Sequence, residues 1–82
     1  MSSVQKQFTA IANNPRDVHF RVLQRVVEAF GFELKRISGS HHIYVRPGVP
    51  EPLNLQDVRR EAKPYQVRQF LALVEKYQLE LD

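Results

Sequence analysis

The hydrophobic period changes at Gly31, and that change constrains the fold more than any other feature of the chain. Before it, Leu23, Val26, Val27 and Phe30 recur at the three-and-four spacing of an amphipathic helix. After it, Phe32, Leu34 and Arg36 alternate with Glu33, Lys35 and Ile37, the period of a strand. Glycine at such a point lets a helix end in left-handed backbone. The chain therefore combines helices with a sheet, and 82 residues leave room for one hydrophobic core.

The remaining segments follow from the same signals. Residues 3–12 carry Val4, Phe8 and Ile11 at helical spacing, and Asn13-Asn14-Pro15 stops them. A second helix is expected from Val18 or Phe20 to Phe30, with Asp17 as its N-cap. Ser38-Gly39-Ser40 reads as a turn, and His42 to Arg46 as a second strand. Pro47, Pro50 and Pro52 mark a loop, because prolines cannot donate to a ladder. Leu53 to Gln56 reads as a short third strand, and the charged run from Asp57 to Lys63 as irregular. Pro64 suits the first turn of a last helix, with Val67, Phe70, Leu71, Val74 and Tyr77 along one stripe. Leu79 or Leu81 then either packs or frays with the end of the chain.

The predicted order is α-α-β-β-β-α, an α+β fold with helices on one face of a three-stranded antiparallel sheet. The other sheet face stays open to solvent or to a partner. A single domain is expected over residues 1–82, with residues 1–15 as a helical extension and 16–82 as the core.

Several function classes are excluded. The longest apolar run, Phe70 to Val74, is far shorter than the ~20 residues of a membrane span. The first residues, MSSVQKQF, lack the apolar stretch of a secretory signal. There is no cysteine, hence neither a disulfide nor a thiolate metal site. These features fit a cytoplasmic protein. A net charge of +3 is too small for a bulk polycation. It is unevenly spread: between Lys35 and Arg68 seven basic residues face three acids. Such an excess attracts phosphate, although the same pattern fits a solvated surface.

No glycine-rich phosphate loop, nucleophile elbow or HExxH is present. Acid–base chemistry near neutral pH falls to His19, His41 or His42. His19, at the start of a helix, reads as a surface or capping residue. His41 and His42 open a strand directly after Gly39-Ser40. Strict alternation turns His41 toward the core with Ile43 and Val45, and His42 toward the open face with Tyr44 and Arg46. Adjacent strand histidines diverge, so they do not make a metal site, and no metal or cofactor is expected. Tyr44 as a stacking surface, with Arg46, Lys35 and Arg36 as phosphate donors, would make an RNA-binding face. Ordinary cross-strand packing explains Tyr44 equally well.

Phe30-Gly31-Phe32, Gly39-Ser40-His41-His42-Ile43-Tyr44 and Arg46-Pro47 together resemble the HicA family of mRNA interferase toxins. The likeness runs from about Phe20 to Leu81. Leu53-Asn54-Leu55-Gln56 and the stretch from Ala62 to Leu71 are similar to a longer-chain branch of that family. Shorter relatives carry a proline, and often a histidine, after the third strand; this chain has Leu55-Gln56-Asp57 there.

The resemblance implies a fold like the double-stranded RNA-binding domain and metal-free endonucleolytic cleavage of messenger RNA by a strand histidine. Carried over, that histidine is His41, directly after Gly-Ser. Relatives with Gly-Ser-Asn-His would match His42, the second candidate. Ser40 would orient the imidazole or cap the turn, while Lys35, Arg36 and Arg46 hold the strand. The implied partner is a HicB-type antitoxin, and the chain alone is expected to be a monomer. The competing reading is a non-catalytic RNA-binding module of the same fold.

Overall fold

The computed structural model describes residues 3–81; Met1, Ser2 and Asp82, which the single-domain reading includes, lie outside the described residues. Val4, Phe8 and Ile11 give α1 (Ser3–Asn13) its apolar face. Ile11 is buried, and the Phe8 ring sits 4.8 Å from Phe30 and 6.4 Å from Phe70. The helix thus forms one wall of the core.

The second helix, α2 (Phe20–Ala29), buries Phe20, Leu23, Val26 and Val27. Its N-cap is His19 rather than Asp17. The Val18 carbonyl accepts the Ala62 amide at 2.9 Å and His19 is extended opposite Glu61, which delays the first helical turn. Nδ1 of His19 then accepts the Arg21 amide at 3.2 Å. The helix ends where the sequence places its end, with Gly31 at φ +94°. A side chain at Gly31 would also crowd Arg46, since a Cβ there lies 3.1 Å from Nε.

The sheet has four antiparallel strands in the order β1-β2-β3-β4. They are β1 (Glu33–Ser38), β2 (His41–Arg46), β3 (Val49–Val58) and β4 (Glu61–Ala62). Each connection is a two-residue turn. Gly39 (φ +60°) takes the first central position of one, and Gly48 (φ +84°) the second position of the next. Two expectations need correcting. The stretch from Val49 to Pro52 is strand, not loop. Arg46 pairs with Val49 and Tyr44 with Leu53, so Val45 alone faces Pro50, Glu51 and Pro52. The prolines lie in this bulge, and β4 meets β3 at Asp57 and Val58 and not at the prolines, so no ladder needs their missing amides.

The run from Asp57 to Lys63 is likewise ordered. Arg59 (φ 54°) and Arg60 (φ 71°) turn the chain into β4 with left-handed backbone at both positions. Asp57 Oδ1 accepts the Arg60 amide at 2.8 Å and helps to hold that turn. The sheet therefore has a fourth strand, and the order is α-α-β-β-β-β-α.

The last helix, α3 (Pro64–Lys76), starts on Pro64 and buries Gln66, Val67, Phe70 and Leu73. Its face is turned slightly from the expected stripe, for Leu71 and Val74 are only partly buried. Phe70 collects the core, with ring centroids 5.6 Å from Phe30 and 6.1 Å from Phe32. Gln66 joins helix to sheet: its Oε1 accepts the Gln56 amide at 2.7 Å, and its Nε2 donates to Gln56 Oε1 at 3.1 Å. Tyr44, Leu53 and Leu55 are buried on one side of the sheet, while Asn54 between them is exposed. The arrangement is α+β and consistent with a double-stranded RNA-binding-domain-like fold.

The bulge is tied to the end of α3. Glu51 accepts from the Tyr77 hydroxyl and pairs with Lys76 Nζ at 2.9 Å. These two partners, Tyr77 first, hold the Glu51 carboxyl below its usual range. A depressed folded-state pKa stabilises above the ordinary value and loses that contribution as pH falls through the folded one. The link is thus expected to persist at neutral pH and to fail on acidification below 4.5, the unperturbed value. Thermal melting of wild type and Glu51→Gln across that range tests this. The gap in melting temperature should be present at neutral pH and close in acid.

Candidate nucleic-acid interface

Strand β2 presents its two faces opposite to the expected way. Tyr44 is fully buried against α2, where Gln24 Nε2 donates to its hydroxyl at 3.1 Å and the hydroxyl donates to Glu28 Oε2 at 3.3 Å. Burial, and with it the nearby Glu28 carboxylate, raises the phenol above its usual range. A polar partner on the helix lets tyrosine take the core position, so Ile43 and Val45 fall on the open face. His42 shares the helix side with Tyr44, and its ring lies 4.8 Å from that of Phe20. His41 shares the open side with Ile43.

The histidines also differ in their hydrogen bonds. His42 Nδ1 lies 3.0 Å from the Ser40 carbonyl oxygen, an acceptor, so this nitrogen carries a proton. His41 Nδ1 lies 3.1 Å from Asn54 Oδ1 on β3. In the tautomer that donates from Nδ1 to Asn54 Oδ1, Nε2 of His41 keeps a lone pair. An imidazole oriented in this way can accept a proton at Nε2 and return it. Asn54 carries no local signal that would single it out in the sequence. Its partner is 13 residues away, and only the β2–β3 register brings the two together.

The remaining expected residues divide. Ser40, exposed in the Gly39-Ser40 turn, also accepts the Asp57 amide through its carbonyl at 3.1 Å. Lys35 and Arg36 are exposed on β1. Arg36 pairs with Ile43, beside His41, and Lys35 occupies the irregularity between Leu34 and Arg36. Tyr44 has no ring face open to a base, which overturns the stacking role expected for it. Arg46 is half-buried and engaged: Nε donates to the Phe30 carbonyl at 2.7 Å and a terminal nitrogen to the Pro47 carbonyl at 2.8 Å. It braces the α2–β1 corner. Among the described residues, no three of His, Asp and Glu gather as a metal-ligand set.

Residues 20–75 match the family model described as the HicA toxin of bacterial toxin-antitoxin systems. The chain belongs to the HicA toxin family. The match spans α2, the whole sheet and nearly all of α3, including both strand histidines. Comparison with curated proteins and with solved structures returned no match. As a HicA-family member the chain is the toxin of a toxin–antitoxin pair. No helix among the described residues is long and apolar enough to cross a membrane.

Proposed function

We propose that this HicA-family toxin is a metal-independent endoribonuclease that cuts messenger RNA in the cytoplasm, with His41 as its acid–base residue. The observation that supports this best is the pairing of His41 Nδ1 with Asn54 Oδ1 on the open sheet face. RNA carries its own nucleophile. Nε2 of His41 takes the proton of a 2′-hydroxyl as that oxygen attacks the adjacent phosphorus. The bond from phosphorus to the 5′-oxygen breaks, and the imidazolium returns the proton to the leaving oxygen. The products are a 2′,3′-cyclic phosphate and a 5′-hydroxyl. Arg36 and Lys35 on β1 stabilise the charged phosphorane, and Ser40 holds the turn that starts β2. His42, packed on Phe20, supports β2 from the other face.

The partner is a cognate HicB-type antitoxin, which would silence the toxin by covering the His41 face. The chain without it is a monomer.

The test is a cleavage assay on a long messenger RNA with EDTA present, followed by end-group analysis. Cutting that leaves cyclic phosphate ends, and fails on the matching DNA, is the expected result. RNA that is bound but uncut would replace the nuclease with an RNA-binding module. Cutting that EDTA abolishes would end the metal-free mechanism.

A further inference from the structure

We infer that the cleft between the start of α2 and the β3–β4 turn is a second RNA contact site, taking a backbone phosphate of the strand cut at His41. The inference rests on the nuclease reading for the identity of its ligand. The cleft has a volume of 520 Å³ and is lined by His19, Phe20, Arg21, Asp57 and Arg60. The guanidinium groups of Arg21 and Arg60 have no hydrogen-bond or ion-pair partner among the described residues, and both residues are exposed. His19 caps α2 through Nδ1, which leaves Nε2 as an N–H donor. Asp57, the one anion in the lining, accepts the Arg60 amide at Oδ1 at 2.8 Å, and the two arginines outnumber its single charge.

Two features go against stability alone. Arg60 and its neighbour Arg59 occupy left-handed backbone, where asparagine or glycine is the easy choice. Arg21 and Arg25 stand one helical turn apart, a like-charge spacing that weakens a helix. Neither arrangement helps the fold, and one arginine of each, Arg21 and Arg60, lines the cleft.

The cleft is also built into the His41 end of the sheet. Gln56 is the register partner of His41, and the next residue, Asp57, lines the cleft. The Ser40 carbonyl ties β2 to Asp57, Asp57 holds Arg60, and the Arg60 carbonyl accepts the Phe20 amide at 2.8 Å. Phe20 in turn carries the His42 ring. The cleft lies on the helix side, so a strand bound at His41 on the open face reaches these free guanidinium donors by passing round this edge, and such donors bind phosphate.

The test uses the whole chain and a single-stranded 2′-O-methyl RNA oligonucleotide, which binds but cannot be cut. Binding is measured for wild type, Arg21→Gln, Arg60→Asn and Arg68→Gln between about 50 and 200 mM salt. Arg21→Gln and Arg60→Asn are expected to weaken binding on every sequence. Each should also flatten the log–log salt slope by ~0.7 for every phosphate that the variant no longer neutralises. Arg68→Gln, on the exposed side of α3, should leave the slope unchanged. Arg60→Asn should melt at or above the wild-type temperature, since asparagine tolerates left-handed backbone. Equal slopes for all four proteins, or an equal effect of Arg68→Gln, overturn the cleft.

Cleavage of ordinary RNA by the same wild-type preparation separates the two readings. Cutting together with unchanged slopes removes the cleft and leaves the nuclease. No cutting together with flattened slopes removes the nuclease and keeps the cleft as an RNA site.

Discussion

Alanine at His41 is expected to slow RNA cleavage by about 10²–10⁴-fold, the usual worth of a positioned acid–base group. The fold and RNA affinity should survive the change. His41 lies on the open sheet face, and its one side-chain hydrogen bond is to exposed Asn54. Single-turnover rates and melting curves read the two effects separately. His42→Ala should show the reverse balance, because it removes a ring pair with Phe20 worth about 0.5–1.5 kcal/mol and the bond to the Ser40 carbonyl. Should His42→Ala stop cleavage while His41→Ala still cuts, the acid–base role passes to His42. Asn54→Ala adds a finer test, lowering the rate by freeing the His41 tautomer while leaving melting nearly unchanged.

Phe70→Ala is expected to carry the largest stability loss, about 3–5 kcal/mol. A domain of this size is stable by about 4–12 kcal/mol, so the variant should be partly or wholly unfolded at physiological temperature. Phe70 is fully buried and meets Phe8 from α1, Phe30 after α2 and Phe32 before β1. Its removal opens a cavity bordered by all three segments, and no one of them can move in without leaving the others. Urea unfolding should show a much lower midpoint than wild type. Leu71→Ala, at a partly buried neighbour on the same helix, should cost about 1 kcal/mol. Similar midpoints for the two variants would contradict the account of Phe70 as the meeting point of the core.

Much of this architecture was legible in local signals. The α2 stripe, its end at Gly31, the period-two strands and Pro64 as a helix start all depend on neighbours a few residues apart. Features set by tertiary contact were hidden. Proline ordinarily argues against a strand, and only the bulge opposite Val45 makes room for Pro50 and Pro52. A left-handed turn ordinarily announces itself by Asn or Gly, whereas here it is Arg59-Arg60. The faces of β2 were inverted because hydrophobicity ranks Ile43 and Val45 above Tyr44, and the polar groups of Gln24 and Glu28 reverse that order. For the candidate site, the histidine pair was visible in the sequence. The partner that distinguishes His41 from His42 was not, since Asn54 belongs to another strand.

The sheet order has a kinetic consequence. The ladder partners of each strand are its neighbours in the chain, and each connection is two residues long; β4 alone adds a bridge to a distant residue, His19. The sheet can therefore close as successive hairpins, each losing little loop entropy before its pairing forms. The long search falls instead to the helices, because Phe8 and Phe70 must meet from opposite ends of the chain. Folding of this toxin is thus paced by the docking of the helices onto strands that register themselves locally, save at β4, where the chain entering α2 adds the Val18–Ala62 and Phe20–Arg60 backbone bonds.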